Sequence, residues 1–181
     1  MGGTTVLMRR NNTEDYLSLV EKEGCTHTML VPVQYQRIMS SPNFSNYNLS
    51  TMAVKLSTSA PLRESLKRDI VNRFPGLLID IYGLTEGGGA TTLVCNEHPS
   101  KLHTVGKPSL GTCMKIIDET GIEVKQGVTG EIVARSPNMM AGYFGQNKLT
   151  EEILWYDSKG LAYFRSGDAG WMDEEGFLHL S

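Results

Sequence analysis

The run Tyr82-Gly83-Leu84-Thr85-Glu86 gathers an aromatic ring, a turn-forming glycine, a hydroxyl and a carboxylate. The ring can stack on a nucleobase, and the Thr85 hydroxyl can donate to a phosphate oxygen. The Glu86 carboxylate is a hard ligand suited to Mg²⁺, which bridges phosphates. A strand end with a solvated turn accounts for the pentapeptide alone about as well. Gly87-Gly88-Gly89 follows directly. Consecutive glycines let a ligand approach the backbone where a Cβ would intrude, and a merely flexible loop is the simpler alternative. The spacing is not that of a Gly-x-Gly-x-x-Gly dinucleotide loop. Farther on, Asp168 in Arg165-Ser166-Gly167-Asp168 can accept from both hydroxyls of a ribose, although Ser-Gly-Asp in isolation is a common turn.

Cys95 and His98, then His103 and Cys113, offer sulfur and imidazole close together in sequence. Zinc sites usually repeat a tight pair of ligands, and Pro108 interrupts the second pair. Loop histidines and small buried thiols are the simpler account. Three cysteines without a small-scaffold spacing suit a reduced, cytoplasmic protein.

The elements that must position these residues change character along the chain. Thr4–Met8 has strand composition. Thr13, with Glu14 and Asp15 behind it, starts a helix; Tyr16, Leu17 and Val20 form its apolar face, and Gly24 ends it. Thr28–Val31 is a second strand, with Pro32 opening the next helix. Ser40 to Ser50 is a surface loop. A third strand, Met52–Leu56, runs into Ser57-Thr58-Ser59-Ala60-Pro61. Leu62, Leu66, Ile70 and Phe74 then recur every four residues, as one stripe of an amphipathic helix. Pro75-Gly76 ends it, and Leu77–Tyr82 is a fourth strand. Alternation of this kind predicts an α/β fold with a parallel sheet and right-handed crossovers. Ligands on such sheets bind beyond the carboxyl ends of the strands, where the segments Ser57–Pro61 and Gly83–Ala90 fall.

After about residue 103, glycines and short strands replace helices. Strands are expected at Thr112–Ile117, Gly130–Arg135, Leu161–Arg165 and Phe177–Leu180, with turns at Asp118–Gly121 and Asp173–Gly176 and a short helix at Asn147–Leu154. This portion reads as a small β-rich subdomain, a distorted barrel. The expected organisation is therefore an α/β part over 1–102 and a β-rich part over 103–181.

The 181 residues suffice for a sizeable core, and 40% hydrophobic with 20% charged residues is ordinary globular composition. A net charge of -3 gives no reason to expect a nucleic-acid partner. No apolar run approaches the length of a membrane span, and the first residues lack the order of a signal peptide.

In combination, these segments resemble the middle of the adenylate-forming (AMP-binding) superfamily, which includes acyl- and aryl-CoA synthetases, luciferases and peptide-synthetase adenylation domains. The matching segments, in family order, are Ser59-Ala60-Pro61-Leu62, Tyr82–Glu86, Val105-Gly106-Lys107-Pro108, Gly130-Glu131-Ile132-Val133, Gly142-Tyr143 and Ser166-Gly167-Asp168. Leu84, where peptide-synthetase domains usually carry proline, favours the acyl-CoA synthetases, as do the segments Gly130–Tyr143 and Ala169–Leu178.

The resemblance implies an ATP-dependent carboxylate–CoA ligase using ATP/AMP, Mg²⁺ and coenzyme A, with fatty acids as the first candidate substrates and aryl acids as the second. Tyr82 resembles the residue packed against adenine, with Ser59, Ala60, Pro61 and Gly83 as the backbone wall around it. Thr85 matches the phosphate contact, Glu86 the position associated with Mg²⁺, and Asp168 the carboxylate on the ribose hydroxyls. Gly87, Gly88 and Gly89 fall where the family places the acyl and pantetheine approach. Glu131 looks structural. The family's phosphate loop, basic hinge, mobile C-terminal domain with its lysine, and the start of the acyl pocket are not found in these residues. The resemblance thus implies a central fragment inactive or nearly so alone, with surface exposed for self-association. The alternative is a non-catalytic nucleotide-binding or interaction fragment.

Overall fold

The computed structural model describes residues 2–181. They form two compact units, one of residues up to Asp80 together with Val94–Leu102, the other of Ile81–Leu93 with His103–Ser181.

In the first unit, α1 (Thr13–Glu23) buries Tyr16, Leu17 and Val20, as the apolar spacing predicts. Its cap is Asn12, one residue before the expected Thr13: Asn12 Oδ1 accepts from the Asp15 N–H at 3.1 Å. Gly24 ends the helix in the left-handed region, at φ 61°. Strand β1 (His27–Leu30) leads to α2 (Pro32–Met39), where Pro32 occupies the first turn. The loop between α2 and β2 (Val54–Ser57) contains a 3₁₀ turn at Phe44–Asn46 and buries Phe44 and Leu49. Helix α3 (Glu64–Arg73) is flanked by Leu62 and Phe74, and all four residues of the expected stripe are buried. Strand β3 (Leu77–Gly83) starts in this unit. β1 pairs with β2, and β2 with β3, all parallel.

The expected strand at Thr4–Met8 is absent: these residues are irregular and almost wholly exposed. β-branched composition suits a strand only where a neighbouring strand can take its N–H and C=O groups.

The buried face of β2 and β3 is partly polar. Lys55, Ser57 and Asp80 are buried, and Lys67 of α3 reaches Asp80 at 2.7 Å. The Lys55 ammonium donates to the carbonyls of Phe74, Pro75 and Gly76. It thereby satisfies groups at the C-terminal end of α3 that the helix leaves unpaired.

The second unit contains β4 (Ala90–Val94), apart from its last residue, and β5 (Lys107–Pro108), paired antiparallel. Its main antiparallel sheet is formed by β6 (Cys113–Ile117), β7 (Gly130–Arg135), β8 (Leu154–Tyr156), β9 (Ala162–Met172) and β10 (Leu178–Leu180). The order is β10-β9-β7-β6, with β8 on β9. Helix α4 (Asn147–Glu152) is slightly shorter than expected. Side chains alternate across this sheet. Ile116, Ile132 and Leu178 pack on one face with Tyr82 against them, and Ile117, Val133 and Tyr163 pack together as a separate cluster. The architecture is α/β: a parallel layer, then a curled β-rich portion, as the periodicities predict.

Candidate functional site

Tyr82 stands near the end of β3, its half-buried ring against Ile116, Ile132 and Leu178. Its hydroxyl donates to Asp168 Oδ2 at 2.7 Å. Burial, and then this bond, push the phenol well above its ordinary pKa, so it stays a donor at neutral pH.

Asp168 reaches that position through a bulge. Glu131 of β7 pairs with Ala169 and Val133 with Arg165, so four steps along β9 oppose two along β7. The surplus residues are expelled from the ladder. Ser166 Oγ donates to the Ile132 carbonyl at 2.8 Å and accepts from the Asp168 N–H at 3.0 Å. Gly167 between them has φ 74°, where a side chain would be strained. The expected turn after a strand ending at Arg165 is therefore a bulge inside an 11-residue strand. Pairing with β7 resumes beyond it, a long-range feature that local turn chemistry does not announce.

Thr85 and Glu86 are the central residues of a tight turn closed by the Gly87 N–H on the Leu84 carbonyl at 3.0 Å. The segment after β7 pins this turn. Met140 N–H donates to the Glu86 carbonyl at 2.8 Å, and Ser136 Oγ to the Gly87 carbonyl at 2.6 Å. The Glu86 carboxylate accepts from the Tyr143 hydroxyl at 2.8 Å. Nothing in the spacing of the sequence links these two side chains, 57 residues apart. Thr85 is exposed. A cleft of about 390 Å³ runs beside the turn, lined by Glu86, Tyr143, Phe164 and the Glu131–Arg165 pair. That pair is bidentate, with Arg165 Nε 3.1 Å from both Glu131 oxygens, which makes Glu131 a brace between β7 and β9.

The three glycines have a cause within the chain itself. A Cβ on Gly88 would lie 2.5 Å from Phe164 Cβ, one on Gly89 2.6 Å from Ala134 Cβ, and one on Gly87 2.2 Å from the Asn138 carbonyl oxygen. Gly88 is buried. The close approach is first of all that of the protein's own chain.

In the first unit, Ser59, Ala60 and Pro61 are exposed just beyond the carboxyl end of β2. Ser59 is the one non-glycine of positive φ among the described residues, at 73°. That conformation costs on the order of 1 kcal/mol or more.

No three His, Cys, Asp or Glu side chains gather as a metal cage among the described residues. Cys113 Sγ lies 3.3 Å from the Tyr163 hydroxyl. Glu86, a single carboxylate beside the Thr85 hydroxyl, is too small a donor set to hold a divalent ion alone. It does fit Mg²⁺, which keeps waters and is commonly held by one or two carboxylates plus substrate phosphates. No helix among the described residues is long and apolar enough to cross a membrane.

The sequence pattern of "AMP-binding enzyme" matches residues 1–144. The chain belongs to the AMP-binding enzyme family. It is 32% identical over 181 residues to a feruloyl-CoA synthase of Amycolatopsis sp, covering 99% of this chain and 35% of that protein. Among solved structures, it is similar to the amide bond synthetase McbA of Marinactinospora thermotolerans, with a TM-score of 0.87, 30% identity, and coverage of 99% of this chain and 36% of the other. It is also similar to a long-chain-fatty-acid-CoA ligase of Archaeoglobus fulgidus, with a TM-score of 0.83, 32% identity, and coverage of 94% and 36%. The chain thus spans about a third of the length of the relatives it matches.

Proposed function

We propose that the chain forms the nucleotide-binding part of an ATP-dependent carboxylate–CoA ligase. The observation that carries this reading is the 2.7 Å bond between Tyr82 and Asp168, the adenine-side and ribose-side residues of the expected site. In the reaction, a carboxylate oxygen attacks the α-phosphorus of ATP and pyrophosphate leaves. The CoA sulfur then attacks the acyl carbonyl carbon, and AMP leaves as the C–O bond breaks.

In this reading, Tyr82 packs against adenine with the Gly83 backbone beside it, and Ser59-Ala60-Pro61 keep the backbone role in nucleotide binding that the resemblance implies. Asp168 accepts from the ribose hydroxyls, which fixes the sugar and lowers the entropic part of the barrier. Thr85 donates to a phosphate oxygen as negative charge builds there. Glu86 would hold Mg²⁺, which would supply charge neutralisation on the phosphates. Gly87 to Gly89 line the acyl and pantetheine approach through their backbone alone. Fatty acids and aryl acids are both accommodated by the reading, in keeping with the two kinds of CoA ligase the chain resembles. A cytoplasmic setting goes with the reduced cysteines.

A second reading, adenylation followed by attack of an amine, is favoured by the likeness to an amide bond synthetase. Two measurements on the 181-residue chain separate the outcomes. Equilibrium dialysis should find AMP binding that Asp168→Asn weakens; no binding would sink the nucleotide-site reading. Exchange of labelled pyrophosphate into ATP, with panels of fatty and hydroxycinnamic acids, should be weak or absent for the chain alone. Robust exchange with one panel would identify the acid and overturn the expectation of inactivity.

A further inference from the structure

Glu86 is held twice by one short segment. Met140 N–H takes its backbone carbonyl, and the Tyr143 hydroxyl takes Oε1 at 2.8 Å. Glu86 Oε2 accepts no hydrogen bond from the described residues.

Tyr143 is fixed in turn. Its N–H donates to Thr150 Oγ1 of α4 at 2.9 Å, and Thr150 Oγ1 donates to the Gln146 carbonyl at 3.1 Å. Gly142, at φ 151°, lets the chain pass so close to Thr150 that a Cβ there would lie 2.9 Å from its methyl group. The ring is only half buried and is not part of the clusters around Ile116 and Ile117. Packing alone would not require its hydroxyl.

We infer that Tyr143 is a positioning residue for Glu86: it commits Oε1 and leaves Oε2 as the oxygen offered to a phosphate-bound divalent cation. This rests on the reading of Glu86 as the Mg²⁺ position. A carboxylate with one oxygen anchored loses less rotamer freedom when it meets the cation.

The test measures binding, not turnover. Equilibrium dialysis of the 181-residue chain with labelled ATP, with and without Mg²⁺, and with AMP alone, separates the cation-dependent gain from nucleotide recognition. Tyr143→Phe should cut the Mg²⁺-dependent gain by about fivefold, the scale of one net hydrogen bond, and leave AMP affinity within about twofold. In a Glu86→Gln background the same change should have no further effect. Equal losses for AMP and Mg²⁺–ATP, or an undiminished effect in the Glu86→Gln background, would make Tyr143 merely structural and overturn the inference. So would a Mg²⁺ gain that Tyr143→Phe leaves intact, with the adenylate reading still standing. A wild-type chain that binds neither AMP nor Mg²⁺–ATP would remove the adenylate reading itself, and this inference with it.

Discussion

Tyr82 and Asp168, 86 residues apart in sequence, are joined by a 2.7 Å hydrogen bond from phenol to carboxylate. The bond ties the end of β3 to the bulge of β9, so ring and carboxylate are oriented by one contact rather than by two independent loops. Each thereby loses freedom before any nucleotide arrives, which is the saving that preorganisation brings to binding.

If that coupling matters, removing the hydroxyl alone should be felt at the nucleotide. Tyr82→Phe keeps the ring and should weaken AMP binding by about twofold to tenfold, the scale of one net hydrogen bond. Tyr82→Ala should cost more, since base–aromatic stacking adds about 1–3 kcal/mol. Asp168→Asn should weaken binding at least as much as Tyr82→Phe. The double variant Tyr82→Phe/Asp168→Asn should fall short of the sum of the two, because they share one contact. Calorimetric titration of AMP into the four proteins checks this; strict additivity would mean that the bond carries no coupling.

Gly88 makes a steric prediction. Its Cβ would sit 2.5 Å from Phe164 Cβ, and both residues are buried, so Gly88→Ala should overpack the contact. A loss of about 1–3 kcal/mol is expected, read as a lower midpoint in urea unfolding. Adding Phe164→Leu should leave the clash, because Leu retains the Cβ in question. Full rescue by Phe164→Leu would show that the ring, and not the backbone-level approach, sets the need for glycine.

Much of this was legible in the sequence because burial leaves a periodic trace. The stripe Leu62, Leu66, Ile70 and Phe74 and the face Tyr16, Leu17 and Val20 are buried as spacing predicts, and β7 runs over the expected residues, Gly130–Arg135. The features that escaped are set by distant partners. Thr4–Met8 has the composition of a strand but no ladder. β9 continues through Ser166-Gly167-Asp168 because β7 pairs on both sides of the bulge. Lys55, Lys67 and Asp80 are buried on a polar face that a hydrophobic pattern assigns to solvent. The order of motifs marks Tyr82, Glu86 and Asp168, whereas the bonds to Tyr82 and Tyr143 that orient the two carboxylates join residues 86 and 57 positions apart and leave no trace in local spacing.

The buried pair Lys67–Asp80, 2.7 Å apart and almost without exposure, should be strongly asymmetric under mutation. Asp80→Asn leaves a buried ammonium short of its counter-charge and should cost about 3–5 kcal/mol. The double change Lys67→Met/Asp80→Leu removes both charges and should be far less damaging. Urea unfolding of the three proteins compares them. A double variant no more stable than Asp80→Asn would mean that the charges stabilise the fold in their own right.

Alkaline pH should expose the environment of Cys95. The residue is fully buried, and desolvation pushes its thiol from the ordinary 9.0 up to about 12. Its contribution to stability is therefore complete below the unfolded thiol pKa, because both states then hold the proton. As pH rises from about 9 toward 12 the unfolded chain ionises first, so unfolding is drawn forward by up to about 1.4 kcal/mol per pH unit. Burial likewise raises Tyr16 to about 12, which adds to the slope above pH ~10. Unfolding midpoints in urea at pH 8, 9, 10 and 11 should fall progressively, and Cys95→Ala should flatten the fall even if its midpoint at pH 8 is lower. At pH 8, iodoacetamide should alkylate the exposed Cys113 well before Cys95. An unchanged slope in Cys95→Ala, or early alkylation of Cys95, would show that the thiol meets water in the folded chain.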